Sequence, residues 1–192
     1  MKYAKIVNNI ICFPPKNKGS IVNYNLDTEQ LLLDGYKEFI EAERPETNRF
    51  YHIEYIETDV ITETIVYDET QEEADNRELQ NAKNNKITQN DNLRDIALNQ
   101  GVTYQNILFD SDTDQKVNLL AIVSTMGDED TVEWFGMNND VLICTKADLI
   151  AIGELITQLH TFCWTKNAEI KEAIAEAQTI EEVNEIEVNY EN

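Results

Sequence analysis

The sequence lacks any group of residues that identifies a catalytic or metal-binding site. Its two histidines, His52 and His160, are far apart, and neither has a second histidine, a cysteine pair or a serine-containing elbow at a usable spacing. Such a histidine is more often a packing or surface residue that has its hydrogen bonds satisfied. We therefore predict that the protein is not an enzyme, that it uses no cofactor, and that it has no catalytic, cofactor-binding or metal-ligating residues.

Long apolar runs are also missing. No stretch of about eighteen apolar residues exists, which argues against a membrane-spanning helix. The apolar start of the chain is interrupted too early, by Asn8-Asn9 and Pro14-Pro15, to be a secretory signal. We therefore expect synthesis in a cytoplasm and no association with a membrane.

Cysteine is scarce, with three residues in the whole chain: Cys12, Cys144 and Cys163. They are odd in number and far apart, and each lies in an apolar stretch. This pattern excludes a disulfide framework and predicts buried, reduced thiols.

Cationic side chains are few, because 15 Lys and Arg stand against 37 Asp and Glu, for a net charge of -22. Residues 104–192 are the more acidic part, with 18 acidic and 4 basic residues. So negative a surface repels phosphate backbones, and we predict no nucleic-acid binding. An acidic face can instead meet a basic partner, bind a divalent cation, or only keep the protein soluble and prevent self-association.

What is present indicates a folded α+β protein, with 42% hydrophobic and 27% charged residues. Residues 1–68 predict a small α+β module. It opens with a hairpin turning at Asn8-Asn9 and continues with a helix capped by Asp27 or Thr28. That helix has one apolar stripe, formed by Leu31, Leu32, Tyr36, Phe39 and Ile40. Two strands turning near residues 57–59 complete the module.

Residues 69–100 are rich in Asn, Gln and Glu, and a capping box at Thr70-Gln71-Glu72-Glu73 starts them. We predict a mostly exposed polar helix that acts as a linker between domains 1–68 and 101–192. Its sparse apolar positions can alternatively form the seam of a helix that pairs with copies of itself.

Residues 101–192 predict a C-terminal unit of two β-hairpins with antiparallel helices. The first hairpin turns at Gln105-Asn106. The acidic stretch that follows resembles a calcium loop, but Gln115 stands at the required glycine and Ala121 at the required glutamate, so the EF-hand interpretation fails. Instead, Asp110 or Asp112 caps a helix that stops at Gly127. We expect its apolar side to consist of Val117, Leu120, Ala121 and Ser124.

A second hairpin, with Trp134 covering the core, leads into a long helix that starts at Thr145-Lys146-Ala147-Asp148. We expect its seven-residue register to be broken only at Lys166. The apolar positions of this helix are Leu149, Ile152, Ile156, Leu159, Cys163, Ile170, Ala173 and Ala177. A short helix capped at Thr179 ends the unit.

The segments that carry a family resemblance are residues 104–110, 131–134, 142–149, 170–177 and 179–183. Together they resemble an uncharacterised domain found at the C-termini of bacteriophage and prophage tail proteins, over residues 102–188. The N-terminal half also resembles the short leader of such proteins. The resemblance rests on strand, turn and cap residues, so it implies a virion context and transfers no catalytic or binding residue. Gln105-Asn106 and the bulky Phe162-Cys163-Trp164 depart from the family pattern.

The resemblance implies a structural protein of a phage tail, in the baseplate or connecting fibres to it, and acting in an oligomer with other tail proteins. We expect it in the tail of the virion after synthesis in the bacterial cytoplasm. One alternative is a chaperone of tail-fibre assembly. Another is a host-surface binding module, for which the exposed aromatics have to form an open patch: Tyr51, Tyr55, Trp134 and Trp164. Three acidic pairs could in principle serve glycoside hydrolysis: Glu72-Glu73, Asp128-Glu129 and Glu181-Glu182. This reaction is disfavoured, because the sequence lacks the long repetitive strand array of such enzymes.

Overall fold

In a computed structural model of the chain, residues 1–191 are described, and they form two units that divide between Arg77 and Glu78. Both units combine helices with β-structure, which confirms the α+β prediction. The expected boundaries were 68/69 and 100/101. The division lies instead within the helix that was predicted to be a separate linker.

The first unit is built on a five-stranded sheet, and its strands are β1 (Lys2–Val7), β2 (Ile10–Cys12), β3 (Lys37–Ile40), β4 (Tyr51–Glu57) and β5 (Ile61–Tyr67). The strand order is β2-β1-β3-β5-β4, and only β3 and β5 run parallel. Asn8 and Asn9 form the first turn with φ of 53° and 63°, the left-handed values that a two-residue hairpin requires. Both predicted hairpins of this region are confirmed.

The helix of the first unit is much shorter than predicted. Helix α1 covers only Thr28–Leu33, and the Asp27 side chain caps it by accepting a hydrogen bond from the Gln30 N–H. Gly35, with φ of 78°, ends it in a Schellman motif, in which the Tyr36 N–H donates to the Leu31 carbonyl. The expected stripe through Phe39 and Ile40 is therefore wrong, because these residues lie in β3 and pair with β1 and β5.

Two small apolar clusters form the core of this unit. Ala4, Phe39 and Ile61 pack on one face of the sheet. A second cluster gathers around the buried side chains of Tyr24 and Leu31.

Helix α2 (Gln71–Leu98) begins with the predicted capping box, in which Thr70 and Glu73 exchange hydrogen bonds at their backbone N–H groups. The prediction of a mostly exposed spacer is wrong for its C-terminal half. Ala97 and the fully buried Asn90 lie in the second unit's core, with Ile87, Leu93 and Leu98 packed against that core. The sparse apolar stripe is thus used within the chain, because another helix of the same unit covers it.

The second unit contains the two predicted hairpins, whose strands are β6 (Val102–Tyr104), β7 (Ile107–Phe109), β8 (Thr131–Phe135) and β9 (Val141–Thr145). Gln105 and Asn106 turn with φ of 51° and 64°. The hairpins meet at Gly136, where an added Cβ would lie 2.6 Å from the Ile107 side chain and 2.7 Å from the Leu108 carbonyl oxygen. Only a glycine allows this close approach.

Helix α3 (Thr113–Thr125) is capped by Asp112, whose carboxylate accepts from the Gln115 N–H at 2.7 Å. The predicted cap is confirmed, but the predicted apolar side is wrong. Leu119 is buried, while Val117 and Leu120 point to solvent. The stripe through Leu119 continues with Ile122, Val123 and Met126, and these large side chains fill the core better than Ala121 and Ser124 do.

Helix α4 (Lys146–Glu176) starts with the predicted capping box between Thr145 and Asp148. Its buried positions include Leu149, Ile152, Ile156, Cys163 and Ile170 as expected. Towards its end, Ile174 is buried and Ala173 exposed, against the prediction. The polar residue inside the stripe is Asn167 rather than Lys166. Helix α5 (Ile180–Glu185) follows, capped by Thr179 as predicted.

Candidate interaction surface

The most extensive polar constellation of the second unit is a buried network centred on Asn167 of α4. The Asn167 side-chain N–H donates to Asp91 at 3.0 Å and to the Tyr190 hydroxyl at 3.2 Å. The same hydroxyl donates to the Asn90 side-chain oxygen at 2.5 Å, and the Asn90 amide donates to the Asn167 backbone carbonyl at 3.1 Å. We name Asn90, Asn167 and Tyr190 the polar latch.

The polar latch joins three segments, because Asn90 lies on α2, Asn167 on α4 and Tyr190 in the segment after α5. Lys171 forms an ion pair with Asp91 at 2.7 Å, and this contact holds the pKa of Asp91 below its usual range. Burial raises the pKa of Tyr190. Every latch side chain has a hydrogen-bond partner and little exposure, so the arrangement fixes the register of α2 against α4.

Both histidines contact polar groups of the chain. His52 lies on β4 with Nδ1 2.6 Å from Asp68 and Nε2 3.4 Å from Glu54, and the Asp68 hydrogen bond is the largest of the contacts that raise its pKa. His160 contacts the Ser111 carbonyl oxygen through Nε2 at 2.7 Å, which ties α4 to the residues just before α3. Among residues 1–191, no group of three or more His, Cys, Asp or Glu side chains is placed to hold a metal ion.

The acidic pairs lie apart from one another along the chain, and some of their members have structural partners. Glu73 closes the capping box of α2, and the Glu182 carboxylate accepts from the Gln178 N–H at 2.6 Å. Asp128 lies 3.8 Å from the Lys146 ammonium and is almost fully exposed.

All three cysteines are free thiols. Cys144 and Cys163 are fully buried, as predicted, whereas Cys12 is only partly buried. Burial raises the pKa of Cys144 to about 11, so this thiol stays protonated at neutral pH.

The aromatic residues do not form the open patch that a host-surface binding module would need. Trp134 is buried, as expected for a core residue. Trp164 is 53% exposed, but the Arg94 guanidinium covers its ring at 4.3 Å from the centroid. Tyr51 and Tyr55 are partly buried on β4. The condition set for a host-surface binding module, an open patch that includes all four side chains, is therefore not met, because Trp134 is buried.

An apolar groove lies between α3 and α4 in the second unit. It has a volume of about 250 Å³. Its lining residues are Lys116, Leu119, Leu120, Val123, Leu149, Ile150, Gly153 and Thr157. A shallower depression continues along α4 past Glu154 to Gln158. We call this surface the α3–α4 groove.

The walls of the α3–α4 groove carry apolar side chains that the chain itself does not cover. Leu120 is 72% exposed and Ile150 43% exposed, and Val117 stands beside them on α3 with 59% exposed. Gly153 forms part of the floor, and an added Cβ there would meet no atom within 4 Å. An interior helix glycine costs about 1 kcal/mol relative to alanine, and packing within the chain does not require this one.

Comparison with known proteins identifies a family at residues 81–189, which match the model described as "Domain of unknown function (DUF4376)". The chain belongs to this family. The matched region starts inside α2 and includes both hairpins, α3, α4 and α5, and therefore the α3–α4 groove. No curated protein and no solved structure matches the chain. In residues 1–191, no helix is long and apolar enough to cross a membrane.

Proposed function

We propose that the protein is a non-enzymatic structural component of a bacteriophage tail, in the baseplate or as an adaptor for tail fibres. It acts through contacts with other tail proteins in an oligomeric assembly in the virion. The tail context rests on the resemblance of residues 102–188 to the C-terminal domains of tail proteins. The family of unknown function covers the same region and does not favour another activity.

The observation that best supports a binding role is the α3–α4 groove. Its exposed leucine and isoleucine side chains lie on two helices that are packed against each other, so the groove is held open without a partner. Preformed apolar surfaces of this kind are typical of protein-protein contacts. Apolar side chains of a partner can fill the space above Gly153, and burying the exposed part of Leu120 contributes about 1–2 kcal/mol to binding.

The charge of the protein indicates what surrounds such a contact on the partner. Residues 104–192 carry a net charge of -14, whereas the groove itself holds one cation, Lys116. A partner with apolar side chains at the centre and Lys or Arg at the rim is complementary to this surface. Long-range attraction of this type speeds association and weakens as salt increases.

The test is quantitative mass spectrometry of purified particles from the phage or prophage that encodes the chain. We expect the protein at a fixed stoichiometry with other tail proteins. Its absence from finished particles, together with fibres that fail to fold without it, would contradict the proposal and favour the assembly chaperone.

A variant of the α3–α4 groove tests the proposed contact. Leu120→Asp places a charge in the groove at a side chain that is 72% exposed, so the fold is retained while incorporation into particles falls at least about tenfold. Leu26→Asp is the matched control, because Leu26 is 73% exposed and lies in the first unit. Normal incorporation of Leu120→Asp would contradict a role for the groove.

A further inference from the structure

The two edges of the five-stranded sheet in the first unit are protected to different degrees. The β2 edge has only three residues and is followed by Pro14-Pro15. The β4 edge has seven residues without Pro or Gly, and it pairs with β5 in unbroken register from Tyr51 to Glu57. Natural sheets shorten, bend or charge their edges to prevent pairing with other chains. The β4 edge has no bulge or proline, and its charged side chains, His52, Glu54 and Glu57, permit pairing where they face opposite charges.

The outer side of β4 presents backbone groups at alternate residues. The Phe50 backbone carbonyl accepts a hydrogen bond from the Asp68 N–H at 3.0 Å. Phe50 and Asp68 are therefore a hydrogen-bonded pair of the antiparallel ladder between β4 and β5. Because such pairs alternate in an antiparallel ladder, the N–H and C=O groups of Tyr51, Ile53 and Tyr55 point away from β5. No strand in the described part of the chain pairs with that side of β4.

We propose that a second copy of this chain pairs with β4 in antiparallel orientation, with the two-fold axis at Ile53. Ile53 then lies opposite Ile53 of the second copy, and Tyr51 lies opposite Tyr55. These are the residues whose backbone groups point outward, so the pairing forms roughly six new backbone hydrogen bonds. The dimer goes beyond the proposed tail function, because it depends on the chain alone.

The sequence of β4 indicates why the partner is a copy of the same strand. Residues 51–55 read Tyr-His-Ile-Glu-Tyr, which is symmetric about Ile53 except that His52 and Glu54 can carry opposite charges. In the antiparallel pair each His52 lies opposite Glu54 of the other copy. The contacts of His52 with Asp68 and Glu54 favour the protonated imidazole, so the facing groups attract each other.

Neighbouring registers lack this complementarity. An axis at Glu54 places two glutamates directly opposite each other, which is destabilising. An axis at Tyr55 places Ile53 opposite Glu57 and Glu54 opposite Ile56, so both isoleucines face a carboxylate. Of these three registers, the one centred on Ile53 alone combines the backbone alternation with opposite charges that face each other.

The first experiment is a charge swap, read out by sedimentation equilibrium of the full-length protein at an ionic strength of about 0.15 M, where charges beyond about 8 Å are screened. We expect a dimer whose Kd rises about tenfold in His52→Glu and in Glu54→Lys, because each change creates two like-charged pairs by symmetry. The double variant His52→Glu/Glu54→Lys restores the opposite charges and returns the Kd to within about threefold of wild type.

Glu43→Lys is the matched control, since it makes the same charge change at an exposed loop residue outside β4 and leaves the Kd unchanged. Circular dichroism verifies the fold of every variant. A monomeric wild-type protein would overturn the proposal, and so would a double variant that dissociates as readily as the single variants.

The second experiment tests the register by disulfide crosslinking in a Cys12→Ser background. Ile53→Cys places the two new thiols in facing residues with Cα atoms about 5.5 Å apart, which is within the range of a disulfide. Glu57→Cys is the control, because its two copies lie eight residues apart along the paired strands, or about 27 Å. We expect a covalent dimer only for Ile53→Cys. Crosslinking of both variants, or of Glu57→Cys alone, would contradict the assigned register.

Discussion

Replacing Tyr190 by phenylalanine isolates the contribution of the polar latch to stability. The Tyr190 side chain is 8% exposed, and its hydroxyl donates to Asn90 at 2.5 Å and accepts from Asn167 at 3.2 Å. Tyr190→Phe removes this oxygen and keeps the ring, so packing against α2 and α4 is retained. The change in stability then reports the hydrogen bonds alone.

The expected loss is about 2–3 kcal/mol. Two buried hydrogen bonds contribute about 1 kcal/mol each, and a buried acceptor that loses its partner adds a desolvation cost of similar size. Asn90 is fully buried, so its side-chain oxygen has no access to water after the substitution. Asn167 keeps its hydrogen bond to Asp91, which limits the loss to this range.

Urea unfolding followed by tryptophan fluorescence measures this loss for the second unit alone, because Trp134 and Trp164 are the only tryptophans and both lie there. Tyr104→Phe is the matched control. Its hydroxyl makes one partly buried hydrogen bond, to Asp148 at 2.8 Å, so we expect a loss of less than about 1 kcal/mol.

A double-mutant cycle of Tyr190→Phe with Asn90→Ala decides whether the two residues are coupled. We expect a coupling energy of about 1 kcal/mol, since either single change breaks the same hydrogen bond. A free energy of unfolding within about 0.5 kcal/mol of wild type for Tyr190→Phe, or strictly additive effects in the cycle, would refute the role assigned to the latch.

Four further results are expected, for two glycines, the cysteines and Asp91. Gly136→Ala lowers the free energy of unfolding by about 1–3 kcal/mol, because the added methyl group meets the neighbouring hairpin. Gly153→Ala raises the free energy of unfolding by up to about 1 kcal/mol, because alanine favours the helix and its methyl group meets no atom. Urea unfolding that shows equal effects for the two variants would contradict both assignments. We expect a thiol reagent to label only Cys12 in the native protein and all three cysteines after unfolding, as measured by mass spectrometry. Rapid labelling of a second thiol in the native protein would contradict the burial of Cys144 and Cys163. Folding lowers the pKa of Asp91, so its carboxylate contributes to the free energy of unfolding above its ordinary pKa of 3.8. This contribution is lost as the pH falls through the pKa of the folded state, so we expect Asp91→Asn to flatten the dependence of stability on pH in acid. An unchanged acid unfolding profile would contradict this linkage.

Most features that were predicted correctly depend on hydrogen bonds between residues close in sequence. The turns at Asn8-Asn9 and Gln105-Asn106 and the caps at Asp112 and Thr145 each involve groups within four residues, so the local sequence is sufficient. The candidate surface was not predicted. Leu120 was assigned to the buried side of its helix, and only its exposure reveals the groove.

The features that the sequence could not predict involve a choice between local alternatives. Residues 36–40 fit a helical stripe as well as a strand, and pairing with β1 and β5 decides for the strand. The α3 segment offers two apolar stripes, and its contact with α4 selects the one through Leu119. Local propensity was similar for both choices, so burial in the tertiary structure determined the outcome.

By itself, the sequence determined the acidic surface, the turns, the helix starts and most of the buried face of α4, because composition and short-range hydrogen bonds act without the rest of the fold. Only the tertiary structure decided which side of α3 faces solvent, and that Asn167 is buried against Asn90, a residue 77 positions earlier in the chain. A polar residue in a helical stripe can interrupt a core or join one. The outcome depends on whether a distant segment supplies its hydrogen-bond partners.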